Sequence, residues 1–136
     1  MGDRLTIKQA EFVTHRRVAH LASVTASGEP HVVPISPVLD GDRVVFASGL
    51  DTQKVRNLRG DPNVAICFDE YGEDWTALQQ VIVYGRSILI ESGPEFDRGR
   101  GLLYENYEQY ETEAPIEQPE SLIVEVRIDR VTSYGL

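Results

Sequence analysis

Three cations, Lys54, Arg56 and Arg59, fall close together inside the stretch SGLDTQKVRNLRGDPNVAICFD, which runs from Ser48 to Asp69. The chain as a whole carries 22 Asp and Glu against 13 Lys and Arg, for a formal net charge of -9. A positive run therefore stands out against its background. Ser48 and Thr52 place hydroxyls just ahead of it. Cations and hydroxyls gathered at one spot suit a small anionic group such as a cofactor phosphate, because charge-assisted hydrogen bonds are roughly twice as strong as neutral ones. They do not suit a long polyanion, which needs an extended basic footprint. A helix over 52–59 capped by Asp51 or Thr52 would add its first-turn N–H groups to the same place. Arg56 then lies four residues from Thr52 and shares its side of the helix. The plainer alternative is that KVRNLR is a solvated helix face.

A second chemical signal is the pair Gln79 and Gln80, which opens the apolar run QQVIVYG. One of the two points inward if the strand is half buried, and a buried amide needs partners. A flavin-like ring offers matching carbonyls and N–H groups; a neighbouring loop would also satisfy Gln80. Ser36 and Ser48 sit at strand positions near the same rim. His31, His15 and His20 read as satisfied or exposed rather than catalytic. Zinc-type ligand spacing, GxSxG, GxxxxGK[ST] and GxGxxG are all missing from the sequence, so triad or metal hydrolysis has little support. The acidic run DEYGED (69–74) reads as a solvated loop, and Trp75 after it as a core anchor rather than a lid over a planar group. Cys67 is the only cysteine and reads as a small buried hydrophobe, with no internal disulfide.

The elements that would position these groups follow from local pattern. Residues 5–17 suit a short amphipathic helix capped by Thr6. A strand over 18–25 turns at Ala26–Glu29 into a second over 31–39, in which Pro34 and Pro37 cannot donate to a ladder. Asp40-Gly41-Asp42 turns into a third strand over 43–47, so the start of the chain reads as a meander. After the helix, ended by Gly60-Asp61-Pro62, come a fourth strand (63–68) and a strand pair or one bent strand over 77–90, with Gly85 as the bend. A helix over 94–110 and a loop over 112–120 precede an alternating strand over 122–131. Six or so antiparallel strands with two or three short helices fit a mainly β, barrel-like sheet, and a small barrel would close its own edges.

Length and charge set the outer limits. At 136 residues the sequence is read as one domain, 1–136. A sequence pI near 4.7 excludes nucleic acid and an anionic membrane surface as main partners. No apolar run approaches the roughly 20 residues that span a bilayer. No signal segment opens the chain, and Gly2 with Thr6 is only a weak acylation match. A cytoplasmic location is expected.

Several ordered blocks together carry a resemblance: HLASVTASGEPHVVPI, RVVFASG, DTQKVRNLRGDPNVAICF, QVIVYGRSILI and IVEVRIDRVTSYG. The chain resembles the pyridoxamine 5'-phosphate oxidase-like split β-barrel flavoproteins, and within them the small branch that uses the deazaflavin coenzyme F420. The resemblance implies a homodimer with FMN or F420 held between subunits, and an oxidoreductase passing a hydride to or from a small organic substrate. It puts the cofactor phosphate on Lys54, with Thr52 and Arg56 supporting it, and sets Gln53 where the oxidases often have arginine. It lines the ring edge with Val33, Pro34, Ile35 and Ser36, brings Ala47 and Ser48 near the phosphate, and lays Gln80 against the ring. His31 and Ser36 stand where the oxidases carry basic residues. Gln80 favours FMN, whereas the TQKVRNLRGDP wording resembles the deazaflavin branch. The substrate-binding C-terminal extension of true pyridoxamine phosphate oxidases is missing, so that activity is not expected. No catalytic acid or base stands out beyond Tyr84 and His31, and no metal is expected. A non-catalytic flavin-binding protein and a haem-binding relative remain as alternatives.

Overall fold

The computed structural model describes residues 5–136. Thr6 accepts from the Gln9 N–H while the Gln9 side chain accepts from the Thr6 N–H. This reciprocal cap starts helix α1 (Ile7–Thr14) where the sequence placed it. Gly2 of the acylation match lies outside the described residues. Strand β1 (Ala19–Val24) pairs with β2 (Pro30–Ile35), and β3 (Val38–Asp40) pairs with β4 (Arg43–Gly49). Helix α2 (Gln53–Gly60) leads into β5 (Asn63–Glu70) and β6 (Gln79–Ile90). Helices α3 (Pro94–Asn106) and α4 (Glu108–Thr112) precede β7 (Ser121–Tyr134).

The strands form one antiparallel seven-stranded sheet in the order β2-β1-β5-β6-β7-β4-β3. The fold is a mainly β split barrel, and two expectations fail on it. The first strands are not a meander, because residues 31–39 are not one strand: the chain breaks at Ser36-Pro37, and the halves run to opposite edges of the sheet. Pro37 has no N–H to give a ladder. The carbonyls on either side of the break are taken instead by tyrosines of the helical segment: Tyr110 donates to Ser36 O (3.1 Å) and Tyr107 to Pro37 O (2.6 Å). Nor does the sheet close its edges, since β2 and β3 each keep one unpaired side.

Other differences have equally local causes. Residues 77–90 hold one bent strand, with the register shifting at Tyr84/Gly85. A Cβ on Gly85 would stand 2.1 Å from Arg127 O, so only glycine lets β7 pass so close. The helix over 94–110 ends at Tyr107, whose backbone is extended, and restarts as α4. With the 3-10 turn Trp75–Ala77, four helices and a turn replace the two or three expected.

The expected alternation of the last strand gives way to burial on both faces from Leu122 to Val126. Leu122, Val124 and Val126 join the main core with Leu21, Phe46, Ile66 and Val83. Ile123 joins a second core with Val45, Phe96, Leu103 and Ile116 under α3. Glu125, 8% exposed on that side, accepts from Arg43 at 2.8 Å. Gly99 makes this layer possible, because a Cβ there would meet Ile123 Cγ2 at 2.8 Å. Among the described residues no helix is long and apolar enough to cross a membrane.

Candidate functional site

Thr52, not Asp51, caps α2: its hydroxyl accepts from Val55 N at 3.4 Å. The same oxygen lies 2.8 Å from Ser48 Oγ at the end of β4, where Ser48 is only 8% exposed. Strand end, hydroxyl pair and helix start therefore meet as the spacing promised, and the α2 N–H groups before Val55 have no acceptor in their own helix.

The cationic run divides once it is folded. Val55 and Leu58 enter the main core, and Asn57, 2% exposed, lies beside them. Arg56 is exposed and donates to Asp51 O (3.0 Å) and Gln53 Oε1 (3.1 Å). Arg59 faces Glu91 at 3.7 Å with both side chains about half exposed. For these two, the solvated-face reading holds. Lys54 is different. It lies one turn before Asn57 and Leu58 on the buried arc and is itself half-buried. Burial pushes its ammonium below the usual lysine range. Among the described residues no carboxylate lies within ion-pair distance of it, although seven other cation–carboxylate pairs form.

Gln53 is committed elsewhere. Its amide donates to Asn57 Oδ1 at 2.6 Å, and Asn57 Nδ2 donates to Ser23 Oγ of β1 at 3.0 Å. This chain of side chains fastens α2 to the sheet. The sequence reading missed Asn57, whose one signal was a polar residue between the core positions Val55 and Leu58.

From Thr52 a groove continues past the second core. One hollow of about 520 Å³ is lined by Gly49, Thr52, Pro119 and Glu120. The next, about 200 Å³, adds Ala47, Ser48, Tyr110 and Ser121. A third, about 390 Å³, is lined by Arg17, Ser36, Tyr107, Gln109 and Tyr110. They share Gly49, then Tyr110 and Ala114. The expected residues Ser36, Ala47, Ser48 and Thr52 thus line one run. Tyr107 and Tyr110 pack edge to face, ring centroids 5.6 Å apart. Burial, and after it Tyr107, pushes the Tyr110 hydroxyl up to about 12. Burial also raises Tyr107, with Arg17 opposing. Neither phenol exchanges a proton near neutral pH. The sequence offered both only as packing residues, and their carbonyl partners, some 70 residues away, gave no local sign.

Gln80 is not part of this groove. It borders a separate hollow of about 440 Å³ with Asp69, Glu70, Tyr71, Leu78 and Tyr134. Ser48 is paired with Leu122 and Gln80 with Tyr134, at opposite ends of β7. The path between them along that strand is on the order of 40 Å. On β2, Val33 is half-buried, Pro34 exposed and Ile35 buried. His31 Nδ1 is buried without a partner. Tyr84 lies under Arg130, 3.8 Å from its ring centroid, with no base beside it. Trp75 is 67% exposed, so it is not the core anchor the sequence indicated. Its indole N–H donates to the Tyr71 hydroxyl at 3.3 Å. Cys67 is half-buried rather than buried, and desolvation, then Asp69, raises its thiol.

A family model described as pyridoxamine 5'-phosphate oxidase matches residues 5–135. The chain belongs to this family. A 5a,11a-dehydrotetracycline/5a,11a-dehydrooxytetracycline reductase of Streptomyces rimosus is 29% identical over 93 residues, 65% of this chain. The match spans 66% of that relative's length. HutZ, a haem storage protein of Vibrio cholerae, superposes with a TM-score of 0.80 at 18% identity, covering 97% of this chain and 94% of its own. An FAD-binding protein of Mesorhizobium loti superposes with a TM-score of 0.75 at 20% identity, covering 96% and 95%. The family's fold thus serves an enzyme in one relative and a haem store in another, so membership settles the architecture and not the chemistry.

Proposed function

We propose that this chain is an oxidoreductase that holds FMN or F420 with its phosphate at the start of α2 and exchanges a hydride with a small organic substrate. The observation that carries this reading is Lys54: desolvated on the buried arc of α2 and without a carboxylate partner in a strongly acidic chain. A half-buried cation with no counter-ion loses part of its hydration uncompensated, and a phosphate held there would supply the missing partner. The Ser48 and Thr52 hydroxyls and the first-turn N–H groups of α2 would share its remaining oxygens. Arg56 would act from the solvent side as a field rather than as a ligand, because it is exposed and two of its five N–H groups hold it on Asp51 O and Gln53 Oε1. Gln53 is withdrawn from a direct role for the same reason.

The bound cofactor would supply the hydride chemistry, as redox cofactors do. The chain's part is to bind, orient and exclude water. The ring edge would run along Val33 to Ser36, whose backbone is kept from pairing onward by the break at Pro37. Tyr107 and Tyr110 are both raised by burial and keep their protons near pH 7, so proton exchange is assigned to solvent. Gln80, at the other end of the sheet, would contact a ring held by a second copy of the chain. Its position supports the homodimer that the family resemblance implies.

Purified protein titrated separately with FMN and F420, followed by fluorescence, tests the reading. Micromolar binding of one of them, weakened at least tenfold (about 1.4 kcal/mol) in Lys54→Ala, is the expected result. A Soret band on adding haem, with neither of the other two bound, would move the protein to the haem-binding alternative. Cofactor binding without turnover by any acceptor would leave a non-catalytic flavin carrier.

A further inference from the structure

Three segments far apart in sequence meet at the hollow of about 390 Å³: the link after α1 with Arg17, the break with Ser36, and the α4 segment from Tyr107 to Ala114. That volume suits a small organic molecule. Its walls differ from those of the hollow beside Thr52. Tyr107 and Tyr110 stand edge to face, and their hydroxyls are spent on the backbone. The Tyr107 hydroxyl donates to Pro37 O at 2.6 Å and lies 3.2 Å from Arg17 O, while Tyr110 donates to Ser36 O at 3.1 Å. What the pair gives the hollow is therefore rigid ring surface, not donors.

The charge on this wall comes from Arg17. Its guanidinium lies over the Tyr107 ring, 4.4 Å from the centroid, and Nη1 donates to Asn106 O at 3.1 Å. Stacking and one hydrogen bond hold the group in place, and four of its five N–H groups remain to spare. Among the described residues no carboxylate lies within ion-pair distance of Arg17, although its neighbour Arg16 is paired with Glu70. Glu113, an exposed carboxylate on the same hollow, also stays outside that distance. A free guanidinium fork fits a carboxylate, or the oxygens of a delocalised enolate, in two parallel bonds. Ring walls beside it favour a flat conjugated body. Ser36 and Gln109 add a hydroxyl and an amide, which serve donors and acceptors alike.

The hollow adjoins the Ser48 hollow through Tyr110 and Ala114, and Ser36 ends the run from Val33 along which the ring edge would lie. We propose that this hollow holds the small organic substrate, and that the substrate is a flat conjugated acid bound as its anion, with its acidic group on Arg17 and its body against Tyr107 and Tyr110. The role of substrate rests on the cofactor reading above; the anion site stands without it. Arg17 binds and orients, and Glu113 opposes the same charge from elsewhere on the wall.

Calorimetric titration with 2-naphthoate and its neutral counterpart 2-naphthamide is the test, on protein with and without FMN or F420. The acid is expected to bind roughly tenfold tighter than the amide, or better. Arg17→Gln should remove that preference by weakening the acid and leaving the amide unchanged, and Arg17→Lys should restore part of it. Glu113→Gln lifts a repulsion, so it should move the acid the other way and tighten it several-fold. Because Arg17 also holds Asn106 O, Arg17→Gln is checked by circular dichroism. Should it fail to fold, Glu113→Gln and the two ligands on wild type decide alone. Equal affinity for acid and amide, binding of neither at millimolar concentration, an acid preference that survives Arg17→Gln, or a Glu113→Gln variant that fails to tighten the acid would each overturn the proposal. On the loaded protein the acid should shift the visible absorption of the cofactor, and an unshifted spectrum with the acid bound would overturn its role as substrate. Acid-selective binding by a protein that takes up neither FMN nor F420 would remove the cofactor reading and leave the anion site standing. Cofactor bound with no preference for the acid would do the reverse.

Discussion

Ser48 Oγ and Thr52 Oγ1 lie 2.8 Å apart, one at the end of β4 and the other capping α2. This pair does two jobs that substitution can separate. Thr52→Ala removes the cap, costing about 1 kcal/mol of stability, and removes one hydroxyl of the proposed phosphate site. Thr52→Ser keeps both. Ser48→Ala leaves the cap in place. Thermal melts should therefore fall only for Thr52→Ala, while cofactor affinity should weaken for both alanine variants. Equal melting of all three would mean that the cap contributes nothing.

Lys54 gives the fold a pH dependence of its own. Its folded pKa is lowered by burial, so between that value and the unfolded value of 10.5 the unfolded chain holds more protons. Stability of the cofactor-free protein should rise with pH through that window. Lys54→Met should remove this rise and should not lower stability at neutral pH, while still weakening FMN or F420 binding at least tenfold. A marked loss of neutral-pH stability in Lys54→Met would show that the ammonium has a partner in the fold.

Asn57 should be the most sensitive position of α2. It is 2% exposed and joins Gln53 to Ser23. Asn57→Ala leaves the buried Ser23 hydroxyl without its donor, at a cost of about 1–3 kcal/mol. Gln53→Ala, on the exposed side, should cost clearly less. Urea unfolding of the two variants ranks them, and the reverse order would exclude the fastening role.

Tyr110 makes the opposite pH signature. Its folded pKa stands at about 12 against an ordinary value near 10, so the folded protein keeps a proton that the unfolded chain loses. Stability should fall as pH rises from about 10 to about 12. Tyr110→Phe should remove its share of that fall and shorten the high-pH limb of an ultraviolet phenolate titration. It should also loosen the break at Ser36, seen as faster hydrogen exchange in residues 35–38.

The sequence was most legible where a feature is decided within one turn of chain. The Thr6 and Thr52 caps and the meeting of Ser48 with α2 depend on neighbours three or four residues away, and Gly85 was marked by its own residue type although the strand that needs it there is the distant β7. The break at Ser36-Pro37 depends on hydroxyls from Tyr107 and Tyr110, which no local pattern announces. The double burial of Leu122–Val126 depends on α3 finding room at Gly99. The cationic run looked uniform because type and spacing do not say which residue faces the sheet. Only rotation about the α2 axis singles out Lys54 and buries Asn57. Gln80 was grouped with the groove by family likeness, and the register of β6 with β7 places it at the far end of the sheet.

The position of β7 has a consequence for how the chain acquires its shape. Among the described residues β7 is the only strand that joins the β2-β1-β5-β6 half to the β4-β3 half, and it follows all the others in sequence. Until it is laid down, the two halves share no ladder, and the Ser48 end of β4 has no neighbour on its inner side. Contacts such as Ala47 with Ile123 close loops of great length, which makes the last step of assembly slow and cooperative. The groove, to which β7 contributes Ser121, is therefore completed only at the moment the final strand threads between the halves.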